Sequence, residues 1–303
     1  METETLRGLL EDAEGFRVEH DDVHEADVIY APLYAALQIP RSLLDLIEAA
    51  DLISVQDSWI PFLFPPCGIP LWGSSHLFIY EWRHWFVDGR APVLVESDPE
   101  LGTVFELART YEQLGYFIAQ NELVISDEET DDFQVACRAF DIGDKEDVVS
   151  RWEASGDLRS AFASHRSFEG NLPQSCVPAK SLYYKGDFPL HTLELVGDLS
   201  KTTSFELCGS SGHAQVQRQL RDLVRSRSSS PPWLRSTDQA AVFDRLIREH
   251  DLAGAWLSLC SSGWTYGDAK DALARLAEHT DDYRFKIQAT CWSSLPFYDS
   301  QRY

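Results

Sequence analysis

The sequence is short of positive charge. Twenty arginines and six lysines, 26 bases in all, stand against 49 acids, for a formal net charge of -23. Such a balance repels a phosphate backbone unless a local basic patch intervenes, so nucleic acid is not the expected main partner; a basic protein is one reading of the acidity, and a surface that only maintains solubility is the other. The opening Met1-Glu2-Thr3-Glu4 has no apolar h-region, so no signal peptide is expected. The most apolar run, Trp59 to Trp72, is broken by Pro61, Pro65, Pro66 and Pro70 and is too short to cross a bilayer. Six cysteines, Cys67, Cys137, Cys176, Cys208, Cys260 and Cys291, include no CxxC pair. They read as reduced, mostly buried thiols of a cytoplasmic chain. No catalytic motif is present: the Gly209-Ser210-Ser211-Gly212-His213 loop fits neither a P-loop nor a GxSxG nucleophile elbow, and a plain helix cap by Ser210 or Ser211 accounts for it.

Apolar residues make up 44% of the 303, with 9 Trp, 16 Phe and 11 Tyr, enough for a packed core in two ordinary domains or one large one. The clearest structural signal lies between Leu71 and Asn121. From His76 to Phe86 the even positions are His76, Phe78, Tyr80, Trp82, His84 and Phe86, an aromatic face at the period of two that a strand requires. Asp88-Gly89 predicts a tight hairpin turn, with a return strand over Ala91 to Glu96 whose Pro92 belongs at a start or an edge. Thr103 to Ala108 reads as a third strand, after which Thr110 and Gln113 have the form of a capping box and Tyr111, Leu114, Phe117 and Ile118 share a helical face. A helix beginning near Val104 fits the same spacing.

A helix led by Pro40-Arg41-Ser42-Leu43-Leu44, then aromatic strands, a hairpin and a strand running into Ala108, Thr110, Tyr111 and Glu112 at a helix start, resembles the SUKH superfamily over residues 30 to 125. That resemblance implies an α+β fold and a binding role, such as neutralising a toxin, and it implies no catalytic residues.

The remaining elements are expected as follows. A helix over Glu4 to Glu11 precedes a strand over Ala26 to Tyr30, within an acidic region (residues 1 to 57) that holds 14 acids. Helical patterns fill Phe133 to Phe162, and β-like runs cover Val177 to Tyr184, His191 to Val196 and Thr203 to Cys208. An amphipathic helix then carries Arg218, Arg221 and Arg225, a basic island expected to pair with an acidic surface of the same molecule. Ser226 to Pro232 reads as a linker, followed by helices over Asp238 to His250 and Asp268 to Glu278 and a strand over Tyr283 to Trp292. The expected class is α+β: a mainly antiparallel sheet with flanking helices and a helical C-terminal portion. The expected units are residues 1–130, 131–228 and 233–303.

For function, the expectation is a non-enzymatic module that binds a basic, toxin-like protein. Asp127, Glu128, Glu129, Asp131 and Asp132, with Trp82 and Trp85, are the candidate partner-binding residues. No cofactor, metal, nucleic acid or membrane is called for. His20 and His24 stand at i and i+4 among carboxylates, a spacing that suits a divalent metal, but a solvated acidic turn explains it as well. Two alternatives remain. One is an enzyme whose site assembles only in the fold, from His76, His84, His191 or His213 with Cys208, Glu81 or Asp88. The other is a subunit of a larger assembly, marked by an exposed aromatic patch over Trp59 to Trp72.

Overall fold

The computed structural model describes residues 25–40, 43, 63–73, 78–98, 103–126, 131–140, 142–143, 145–155, 161, 164–173, 198–209 and 214–303. Among these, the chain runs α1 (Glu25–Leu37), β1 (Gly68–Gly73), β2 (Phe78–Trp82), β3 (Val93–Asp98), β4 (Thr103–Ala108), α2 (Tyr111–Ser126), α3 (Asp131–Phe140) and α4 (Lys145–Ser155). It continues with α5 (Ser204–Gly209), α6 (Ala214–Ser226), α7 (Pro232–Arg235), α8 (Gln239–Arg248), α9 (Leu252–Leu259), α10 (Tyr266–Ala277) and α11 (Tyr283–Ser293). The four strands form an antiparallel meander in the order β1-β2-β3-β4. The architecture is α+β, as the composition and patterning imply.

β4 occupies Thr103–Ala108, so the strand reading holds there and the helix starts only after it. The Thr110 hydroxyl accepts from Gln113 N at 3.2 Å, while the Gln113 side chain accepts from Arg109 N rather than from Thr110 N. Its amide also donates to Ser167 O and Asn171 O, which clamps the 164–173 segment onto α2.

The aromatic strand is shorter than its alternation suggests. β2 ends at Trp82, and ten residues separate it from Val93, so Asp88-Gly89 is a turn inside a long loop and not a tight hairpin. Trp85 and Phe86 leave the sheet because the C-terminal helices offer them a better burial. Phe86 takes a φ of +64°, costly for a bulky residue, and meets the Phe285 ring edge-on at 4.9 Å and Trp256 at 6.5 Å. Trp85 donates its indole N–H to Gln288 at 2.6 Å, and Gln288 donates to Pro66 O at 2.5 Å.

Three expected strands are helices. Ala26 to Tyr30 lies inside α1, where Tyr30, Leu33 and Tyr34 are buried at helical spacing. Thr203 to Cys208 is α5 with its cap: Thr203 N donates to Glu206 Oε2 at 2.6 Å and Glu206 N to Thr203 Oγ1 at 3.4 Å, a Thr-x-x-Glu capping box that the β-like composition hides. Tyr283 to Trp292 is α11, capped by Asp282, with Phe285, Gln288, Ala289 and Trp292 buried at i, i+3, i+4 and i+7. Asp238, Asp251 and Thr265 cap α8, α9 and α10 in the same way, each cap contributing about 1 kcal/mol.

The expected strands over Val177 to Tyr184 and His191 to Val196, the helix over Glu4 to Glu11 and most of the Pro40-led helix lie outside the described residues. Ser226 to Pro232 forms turns with Ser230 buried, and Pro232 begins α7. One continuous hydrophobic core includes Tyr30 of α1, Trp82 of β2, Phe133 of α3 and Trp292 of α11. Among the described residues no helix is long and apolar enough to cross a membrane.

Candidate functional site

The β1–β2 ladder, the β2–β3 loop, α5 and the end of α9 converge on a single point. Cys67 precedes β1, and its carbonyl accepts from Arg83 N at 2.8 Å, which extends the β1–β2 pairing by one step and sets His84 just past the end of β2. Cys260 is the C-cap of α9, its N–H bonded to Trp256 O at 2.9 Å. As a result, the sulfurs of Cys67 and Cys260 and one ring nitrogen of His84 all lie within 4.8 Å of one another. Both thiols are wholly buried and His84 is 6% exposed. The Trp82 ring meets the His84 ring edge-on at 6.4 Å, and Phe205 packs on both Trp82 and Tyr303, so aromatic rings flank the cluster.

Glu206 of α5 is the polar hub. Its Oε1 lies 3.2 Å from His84 Nε2 and accepts from Arg90 Nη2, while Oε2 accepts from Thr203 N at 2.6 Å and Thr203 Oγ1 at 3.0 Å. Burial, reinforced by the Arg90 charge, holds the His84 imidazole well below its ordinary pKa, so the ring is neutral. A neutral ring that donates to a carboxylate carries its proton on Nε2, which leaves the Nδ1 lone pair. Nδ1 is buried and has no hydrogen-bond partner. Arg90 Nη1 is likewise buried with no acceptor, and burial pushes the guanidinium pKa down to about 10. Burial also raises the pKa of both Cys67 and Cys260, which hydrogen-bond to each other, so without further positive charge both stay protonated thiols.

Of the residues weighed as site candidates in the sequence, only His84 belongs to this cluster; Cys67 and Cys260 figure there only as reduced, buried thiols. Trp82 and Trp85 are 1% and 9% exposed, which corrects their assignment to a partner-binding surface. Trp85 is held from inside by Gln288 and flanked by the Arg83 and Arg284 guanidinium groups at 5.2 and 5.7 Å. Glu81 is buried against Arg83 and Tyr111, and Asp88 is exposed in its turn. His20, His24, His76, His191 and His213, with Asp127, Glu128 and Glu129, lie outside the described residues, while Asp131 and Asp132 open α3. Phe64, Cys67, Ile69 and Leu71 are buried, so the described part of the Trp59–Trp72 stretch is core and no exposed patch.

Sequence reasoning missed Cys67, Cys260, Arg90 and Glu206. Only Glu206 had a local signal, the capping box with Thr203. A scan against protein-family models finds no match to the chain, and searches of curated proteins and of solved structures find none either.

Proposed function

We propose that the chain is a non-enzymatic binding module of the cytoplasm that engages a basic, toxin-like protein through an acidic surface, the role that its resemblance to the SUKH superfamily implies. The observation that carries this reading is the excess of acid, 49 acids against 26 bases. Ion pairs such as Arg83–Glu81, Arg90–Glu206 and Arg284–Asp282 each consume one base and one acid, so pairing leaves the net charge of -23 untouched. Attraction of that sign and size steers a cationic partner and weakens with salt.

The test is affinity capture from the native lysate at low and high salt, beside a variant carrying Asp127→Asn, Glu128→Gln, Glu129→Gln, Asp131→Asn and Asp132→Asn. The expected result is one stoichiometric basic protein, retained at low salt, lost at high salt and lost by the variant. Equal capture by both proteins removes this acidic segment as the binding surface, and absence of any protein at either salt removes the binding reading.

A further inference from the structure

We propose that Cys67, His84 and Cys260 bind one thiophilic divalent ion, of the Zn²⁺ class, which joins the sheet to the C-terminal helices. The inference is independent of the binding role proposed above.

Three observations carry it. The donor atoms come from distant parts of the chain yet stand within 4.8 Å of one another, and two sulfurs with one imidazole nitrogen form a donor set typical of zinc. Two buried polar atoms at the cluster, His84 Nδ1 and Arg90 Nη1, have no hydrogen-bond partner. Buried polar atoms without a partner occur elsewhere among the described residues, Tyr30 Oη and Trp256 Nε1 for example, but His84 Nδ1 belongs to a residue grouped with two thiols, where a metal ion would use its lone pair. The third observation is Glu206. A metal-ligating histidine normally donates its second ring N–H to a carboxylate, and His84 Nε2 stands in that relation to Glu206 Oε1 at 3.2 Å. The free Nδ1 is then the ligand atom, and Arg90 Nη1 supplies a donor for a thiolate or for an oxygen in the fourth position.

Charge selects the ion. Binding converts two thiols to thiolates and releases two protons to solvent, so a divalent ion with two thiolates and a neutral imidazole carries no net charge. Arg90 and Glu206 already neutralise each other. A monovalent ion such as Cu⁺ leaves one uncompensated negative charge in a buried site, which is unfavourable. Ca²⁺ and Mg²⁺ require oxygen donors, and this cluster presents none that is free.

The test uses the full chain, stripped with a chelator under reducing conditions and titrated with Co²⁺ and then Zn²⁺. The expected result is one Co²⁺ per chain with a thiolate-to-cobalt charge-transfer band that Zn²⁺ abolishes. Cys67→Ser and Cys260→Ser each lose the band, Cys137→Ser retains it, and Glu206→Gln weakens Co²⁺ affinity about 10- to 100-fold. In case the ligand variants do not fold, thiol alkylation of the wild-type chain, read peptide by peptide, gives a second readout. Zn²⁺ is expected to slow modification of Cys67 and Cys260 selectively over Cys137 and Cys291. No charge-transfer band in the folded wild-type chain, or equal Zn²⁺ protection of all four cysteines, overturns the site.

Discussion

Two acid–arginine clusters start from neighbouring residues of one strand end, and they finish differently. Around Glu81, Oε1 accepts from Arg83 Nε at 2.8 Å and Nη2 at 2.5 Å, while Oε2 accepts from Tyr111 Oη. No buried atom of Glu81, Arg83 or Tyr111 lacks a partner. Three residues further on, His84 enters a cluster in which Glu206 is equally well satisfied but an imidazole nitrogen and a guanidinium nitrogen are left over. Burial is similar in the two places, so exposure does not separate them. What separates them is whether the protein's own groups complete each other's hydrogen bonds. The first cluster is complete as a piece of structure; the second has donors and lone pairs to spare, which is what a ligand uses.

That contrast can be broken or sharpened in order of expected effect. The packing of the β2–β3 loop on the C-terminal helices centres on Phe285, fully buried and in ring contact with Trp85, Phe86 and Trp256. Phe285→Ala is expected to cost about 3–5 kcal/mol in urea unfolding. Gln288→Leu leaves the Trp85 indole N–H and Pro66 O unpaired and is expected to cost about 2–3 kcal/mol, read in the same way. Glu81→Gln weakens charge-assisted bonds to Arg83 and Tyr111 by about 1–2 kcal/mol, and Co²⁺ affinity stays at the wild-type value. The sharpest single comparison is therefore Glu81→Gln with Glu206→Gln: equal metal affinities in the two variants would erase the distinction between the clusters.

The smallest effect concerns acid. Asp282 caps α11, and its hydrogen bond with the Arg284 guanidinium, more than any other cause, holds its carboxyl below the usual range. A depressed carboxylate contributes stability that is present above its unfolded pKa of about 3.9 and is lost as pH falls through the folded value. Asp282→Asn keeps the cap, so it is expected to flatten the stability profile below about pH 4 by less than about 1 kcal/mol, since both partners are partly exposed.

Parts of this molecule are legible in the sequence for physical reasons that can be named. Thr103 to Ala108 and the helix after it sit where strand alternation and a cap agree. Asp238 precedes a clean apolar stripe of Val242, Phe243 and Leu246. Tyr283 to Trp292 misleads because its buried helical face includes Gln288, a polar residue whose two partners lie in the N-terminal third of the chain. Without those partners the remaining apolar residues look alternating. Thr203 to Cys208 misleads because Thr, Phe and Leu suit a strand, while the pairing of Thr203 with Glu206 decides for a helix. Cys67, His84 and Cys260 leave no local trace at all. Their convergence depends on where the β1–β2 ladder ends relative to the C-cap of α9, a tertiary distance that no short spacing encodes.

The Gln288 bridge also orders events in time. Its bonds to Trp85 and Pro66 span 203 and 222 residues. A ribosome adding about 5–20 residues per second needs roughly 10–40 s to make the stretch between Trp85 and Gln288. During that interval Trp85, Phe86 and the Cys67 thiol have been made and the helices that cover them in the finished protein have not, so no part of the chain yet made can bury them as the finished core does.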